Sequence, residues 1–282
     1  MTYQELYEKG RDKLAIAGID EADLDARLLL EHVCGTNRND LLVHGDREVT
    51  EEEQTAYLNA LERRGSRIPL QQIIGKQEFM GLEFTVNEHV LIPRQDTEIL
   101  VEEVLRELQD GMRVLDMCTG SGCILLSLLH YNNWCEGVGV DISPEALEAA
   151  RGNMAALLEP EKKCEFLESD LFEKVEGIFD FIVSNPPYIR SSVIDTLMPE
   201  VRDHEPRFAL DGHEDGLYFY RRIVEGSSAH LAGGGRLYFE IGYDQAEAVK
   251  ALMEAAGFAG VTVVKDYAGM DRVVYGTRHR SI

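Results

Sequence analysis

The chain has 282 residues, 44% of them hydrophobic, enough for one large or two ordinary domains with their own cores. Its 51 acidic and 28 basic side chains give a formal net charge of −23, which repels phosphate backbones, argues against free DNA or RNA as substrate and favours a protein partner with a basic surface. No run of about 18 apolar residues is present to span a membrane, and Met1-Thr2-Tyr3-Gln4-Glu5 lacks the features of a signal peptide, so a cytoplasmic protein is expected.

The first segment reads as short amphipathic helices. Tyr3, Leu6, Tyr7 and Leu14 follow a helical period up to Gly18. Asp20 is placed to cap a second helix carrying Leu24, Leu28, Leu29 and Val33 before Gly35. Thr50 and Glu53 form the pattern of a capping box for a third, carrying Tyr57, Leu58 and Leu61. Residues 1–68 are therefore expected to be a small all-helical domain. Gly65 and Pro69 punctuate the chain, and Ile73-Ile74-Gly75 with Phe79 to Val86 suggest short strands of a hairpin in a linker over 69–90. Asp96 or Thr97 is then the expected cap of a helix through Ile99, Leu100, Val104 and Leu105.

From Arg113 strands and helices alternate. Arg113 to Met117 is a strand, Cys118 to Gly122 a tight turn and Cys123 to Tyr131 a helix. Gly137 to Val140 is a second strand ending in Asp141, followed by a helix that Ser143 caps with Pro144 in its first turn. Cys164 to Glu168, Phe179 to Ser184 and Gly235 to Glu240 are further strands. A helix runs from about Gly216 to Leu231, and Gly260 to Lys265 with Arg272 to Tyr275 close the series. The alternation predicts an α/β fold over residues 91–282, a doubly wound, mostly parallel sheet. The five cysteines, Cys34, Cys118, Cys123, Cys135 and Cys164, show no CxxC spacing, so reduced thiols are expected and neither a disulfide framework nor a metal site.

Asn185-Pro186-Pro187-Tyr188 follows an apolar strand, at the position where such sheets bind ligands. The prolines donate no backbone N–H, leaving carbonyl oxygens with few competing donors. Asn185 offers its side-chain carbonyl, Pro186 its backbone carbonyl and Tyr188 a flat face, a pocket suited to a planar NH2 group. Two acceptors on its two N–H bonds favour localising the nitrogen lone pair, so the group becomes a nucleophile without a strong base. Asn185, Pro186 and Tyr188 are the catalytic candidates, with Pro187 completing the substrate pocket. A Pro-Pro pair that merely ends a strand is the plainer reading of the same four residues.

The turn Cys118-Thr119-Gly120-Ser121-Gly122 lets a ligand approach the backbone, and Asp141 at the second strand's end can accept from both ribose hydroxyls. A glycine pair with an acid also fits NAD. Cys118 occupies the position where a G-x-G-x-x-G fingerprint would start, however, and no third spaced glycine follows. Asp170 is placed for an adenine amine and Asp116 for the ammonium of an amino-acid moiety. These features favour S-adenosylmethionine, whose sulfonium methyl would point at the Asn185 pocket, and loss of that charge in the transition state favours a dry site.

Together, Leu91 to Glu98, Asp116 to Gly122, Asp141 and Asn185 to Tyr188 resemble the release-factor glutamine methyltransferases, the HemK-type enzymes. Glu205 to Leu210, Asp215-Gly216-Leu217, Glu240-Ile241-Gly242 and Asp271 to Val274 extend the resemblance over nearly the whole chain. It implies a class I methyltransferase (Rossmann-like) fold whose last strand is antiparallel. The implied activity is methylation of the glutamine side-chain amide in the Gly-Gly-Gln motif of class 1 peptide release factors, with the N-terminal helices helping to hold the factor. It also implies that Cys118 to Gly122, Asp141, Asp170, Leu171 and Asn185 contact the cofactor and that Asn185 to Tyr188 hold the glutamine. The chain departs from the family pattern at Cys118, usually glycine, at Gln95, usually proline, and at Leu171, tryptophan in some relatives.

A glutamine methyltransferase acting on a ribosomal protein would use the same chemistry, and only the helical domain would distinguish it. An adenine amino-methyltransferase would need a basic track that this sequence lacks. A non-catalytic binding protein of the same fold would have no reason to keep Asn185 to Tyr188 intact.

Overall fold

The computed structural model describes residues 1–279; the last three positions of the expected 91–282 domain lie outside the described residues. The chain divides into two compact units, Met1–Lys76 with Met198–His204, and Gln77–Leu197 with the chain from Glu205 onward. Among the described residues no helix is long and apolar enough to cross a membrane.

The first unit contains α1 (Tyr3–Ile16), α2 (Ala22–Cys34), α3 (Arg38–Val43), α4 (Glu51–Gly65) and α5 (Leu70–Ile74). Capping boxes start α1 (Thr2 with Glu5), α3 (Asn37 with Asp40) and α4 (Thr50 with Glu53). Asp20 does not cap α2; Glu21 takes that position without a side-chain bond. Leu24 is exposed rather than part of the core, because Ala22, Ala26, Leu29 and Leu30 form the inward stripe. Tyr57 fills the centre and donates to the Ala26 carbonyl at 3.0 Å. Gly10 makes room for it, since a Cβ there would lie 1.9 Å from the Tyr57 hydroxyl oxygen. Ile73-Ile74-Gly75 is not a strand. Leu70–Ile74 is a helical turn that Gly75 closes at φ 81, with Ile73 in the same core, so the first unit reaches Lys76. So short an apolar run carries no period that separates helix from strand.

The buried Arg64 guanidinium donates to Asp25 at 2.6 Å and to Glu200 at 3.0 Å, and Arg67 pairs with Glu200 at 3.1 Å. These bonds hold the 198–204 segment in the first unit.

The hairpin is β1 (Lys76–Phe79) and β2 (Leu82–Thr85). Its two-residue turn is Met80-Gly81, both at positive φ, inside the run expected as one strand. Next come α6 (Gln95–Leu105), β3 (Arg113–Met117), α7 (Cys123–Tyr131), β4 (Glu136–Asp141), α8 (Pro144–Leu157), β5 (Cys164–Glu168) and β6 (Phe179–Ser184). The chain continues through α9 (Ser191–Ile194), α10 (Pro199–His204, in the first unit), a 3-10 turn at Arg207–Ala209 and α11 (Tyr218–His230). It ends with β7 (Leu231–Glu240), α12 (Ala246–Ala255), β8 (Phe258–Lys265) and β9 (Asp271–Arg278). Neither Asp96 nor Thr97 caps α6; both lie in its first turn, after Arg94.

The seven strands lie in the order β5-β4-β3-β6-β7-β9-β8, with β9, the last in the chain, antiparallel to its neighbours. This is the class I methyltransferase fold. Alternation along the strands sends Val114, Phe181 and Tyr238 to one face, with Leu100, Leu125 and Leu128, and Leu115, Ile182 and Leu237 to the other, with Tyr220, Ile223 and Val249. The chain leaves β3 toward β4 and β5, then returns to β6 on the other side of β3. The strand order therefore reverses between β3 and β6, and a crevice opens at their carboxyl ends.

Candidate active site

Two loops leave the sheet at that crevice. After β3, Cys118, Gly120 and Gly122 all adopt positive φ, which turns the chain tightly enough for Gly122 to start α7. Cys118, at φ 63, holds a left-handed conformation that costs a side-chain-bearing residue about 1–2 kcal/mol. Gly122 is also tight against the next layer, since a Cβ there would lie 3.0 Å from Leu126 and 3.3 Å from Ala150 and Phe166.

Asp141, at the end of β4, accepts the Gly120 N–H at 2.8 Å and the Ser143 N–H at 3.0 Å. Burial raises its pKa against the pull of these N–H groups. Asp116 is fully buried in β3. Its Oδ2 accepts from the Thr119 hydroxyl at 2.6 Å, while Oδ1 has no partner among the described residues, and burial pushes its pKa up to about 7.

After β6, the Asn185 Nδ2 donates to the Thr97 hydroxyl oxygen at 3.3 Å, leaving its Oδ1 as the acceptor. Tyr188 donates its hydroxyl to Glu240 Oε1 at 3.2 Å, and its carbonyl accepts from Gln245 Nε2 at 3.0 Å. Gly212 and Gly216 pass so close that a Cβ would lie 2.7 Å from Tyr188 Cα or 2.5 Å from its carbonyl oxygen. The loop is thus held by the chain around residues 212–216 and by the end of β7.

The two loops share a cavity of about 180 Å³ whose wall includes Cys118, Gly120, Asp141, Asp170, Leu171, Asn185 and Pro187. Asp116, Thr119, Ser121 and Gly122 flank that wall in sequence without lining the cavity, as do Pro186 and Tyr188. Asp170 is in the wall, but its Oδ1 accepts from Arg222 at 2.9 Å. Arg94 and Glu98 are elsewhere: Arg94 pairs with Glu205, and Glu98 accepts the Met80 N–H at 2.7 Å. Sequence reasoning missed Phe208 and Phe219, which add aromatic walls, and the roles of Thr97, Glu240 and Gln245 around the Asn185 loop. Thr97 stood out only as a candidate cap, and Glu240 only within a matching segment.

Family models match residues 5–75, as the PrmC N-terminal domain, and residues 94–200, as the Methyltransferase small domain. Over 282 residues the chain is 43% identical to the release factor glutamine methyltransferase of Caulobacter vibrioides, an alignment covering 99% of this chain and 97% of that protein. The chain belongs to the release factor glutamine methyltransferases. A family member from Clostridium acetobutylicum is 44% identical over 90% of both chains. A crystal structure of a Pyrococcus furiosus methyltransferase aligns with a TM-score of 0.55 and 19% identity over 77% of this chain and 99% of that one, a likeness of fold.

As a release factor glutamine methyltransferase, the chain uses S-adenosylmethionine, and its cavity fits that molecule chemically. Asp141 offers buried carboxylate oxygens to a diol, the space where a Gly120 Cβ would stand is empty to 4 Å, and Asp116 holds an unpartnered acceptor. Phe208, Phe219 and Leu171 supply apolar surface for a planar ring.

Proposed function

We propose that this enzyme methylates the side-chain amide nitrogen of the glutamine in the Gly-Gly-Gln motif of class 1 peptide chain release factors. The observation that carries this reading is the orientation of Asn185. With its Nδ2 committed to Thr97, its Oδ1 is the group presented to an incoming N–H, beside the cavity wall formed by Gly120 and Asp141.

In this reading Asp141 takes the ribose hydroxyls, Asp116 the ammonium and the turn from Cys118 to Gly122 the amino-acid part of S-adenosylmethionine. Asp170 and Leu171 border the adenine. Bound there, the cofactor supplies a methyl group made electrophilic by a positively charged sulfur. Asn185 Oδ1 and the Pro186 carbonyl accept the two amide N–H bonds and orient the nitrogen, while Pro187 and Tyr188 confine the plane of the amide. Their contribution is orientation and electrostatics, with no strong base required. The helical unit, which matches the PrmC N-terminal domain, is assigned to holding the release factor, and a translation factor as substrate supports a cytoplasmic reaction.

The test is mass spectrometry of labelled methyl incorporation from S-adenosylmethionine into purified release factor, with a ribosomal protein and duplex DNA offered in parallel. A methylated Gly-Gly-Gln peptide in the release factor alone is expected. Label in either other substrate instead would overturn the substrate assignment.

A further inference from the structure

Glu240 is the last residue of β7, and Phe239 before it is the register partner of Ser184 on β6. Asn185 and Glu240 therefore leave the sheet as neighbours. Glu240 is 2% exposed, an expensive place for an acid with no structural duty. Its Oε1 accepts the Tyr188 hydroxyl at 3.2 Å, and its Oε2 is buried with no hydrogen-bond partner among the described residues. Thr97 is buried beside it on α6. The Thr97 oxygen accepts from Asn185 Nδ2, which leaves its hydroxyl hydrogen for another acceptor, and although burial dominates and disfavours the charged form of Glu240, Thr97 is among the groups that favour it. From β9, Arg272 also faces Glu240, but its guanidinium is engaged by Asp96 and Asp266, each at 3.0 Å.

We propose that Glu240 is a positioning residue for methyl transfer. Its carboxyl holds the Tyr188 hydroxyl directly and the Asn185 amide through Thr97, so one buried group sets the spacing and orientation of both sides of the substrate pocket. The inference rests on the assignment of the Asn185 to Tyr188 loop as the glutamine pocket. Nothing in the geometry puts Glu240 in the cavity wall, so it acts through these two side chains rather than on the substrate.

The test compares Glu240→Ala and Glu240→Gln with the natural enzyme by single-turnover methyl transfer to release factor, calorimetric cofactor affinity and the NMR signal of the Asn185 side-chain NH2. Glu240→Ala is expected to lower the rate at saturating substrate by about 10²-fold, the cost of an ångström-scale misplacement, while leaving cofactor affinity unchanged. It should also shift the Asn185 NH2 signal and speed its hydrogen exchange. Glu240→Gln, which keeps the volume and one acceptor oxygen, should recover part of the rate and of the exchange protection. An unaltered rate and an unmoved Asn185 signal in Glu240→Ala would overturn the proposal, as would a loss confined to cofactor affinity. The NMR readout needs no substrate. A natural enzyme that fails to methylate release factor would count against the substrate assignment, while the Asn185 signal would still decide the role of Glu240.

Discussion

Asp141 Oδ2 accepts the Gly120 N–H at 2.8 Å, which ties the end of β4 to the glycine turn after β3 and leaves the carboxylate beside the cavity. Asp141→Ala is expected to weaken S-adenosylmethionine binding by about 10- to 100-fold, the range for losing hydrogen bonds to a charged acceptor. Calorimetry of the cofactor with natural and variant protein measures this, and an unaltered affinity would refute the assignment.

Asn185→Ala removes the acceptor that Thr97 orients. Single-turnover methyl transfer at saturating substrate should fall by about 10²- to 10³-fold, as when one preorganised hydrogen-bonding group is deleted, with far less change in cofactor affinity. An unchanged rate would sink the role given to Asn185.

Asp116 makes cofactor-free stability depend on pH. Burial lifts its pKa from 3.8 to about 7, so the folded state binds more protons than the unfolded state between those values. The associated stability is present at low pH and lost as pH rises through about 7, at ~1.4 kcal/mol for every pH unit that separates the two values. Burial of Glu240, also raised to about 7, acts in the same direction. Thermal melts at about pH 5.5 and 8 should show a smaller loss in Asp116→Asn than in the natural protein, with the Glu240 contribution remaining. Equal losses would contradict this account.

In the first unit, Arg64→Met should destabilise by about 3–5 kcal/mol, because it leaves the buried Asp25 without its cation and Glu200 with Arg67 alone. Adding Asp25→Leu should recover part of the loss. Chemical denaturation measures both. A single variant as stable as the natural protein would show that these carboxylates do not depend on Arg64.

The loop after β6 was legible because its signals are local. Phe179 to Ser184 reads as a buried strand, and Pro186-Pro187 must end it, so Asn185 falls at a strand terminus. Gly120 and Gly122 mark a turn that needs positive φ, and Asp141 ends the next strand. Thr50 with Glu53 and Ser143 with Pro144 likewise mark helix starts, since each pairing spans less than one turn.

Where alternatives within one short segment differ little in energy, the local reading failed. Ile73-Ile74 carries too few apolar residues to show a period, Asp20 is one residue early for the cap of α2, and Thr97 is pulled into the first turn of α6 to meet Asn185. Hydrophobic alternation and turn chemistry, which act over a few residues, determined the sheet, the two loops and the α/β class. Tertiary structure decided that Asp170 is bonded to Arg222, that Asp116 is fully buried, and that Thr97, Glu240 and Gln245 converge on Asn185 and Tyr188. Those partners are 52 to 88 positions apart, and only strand order and register bring their polar atoms within bonding distance.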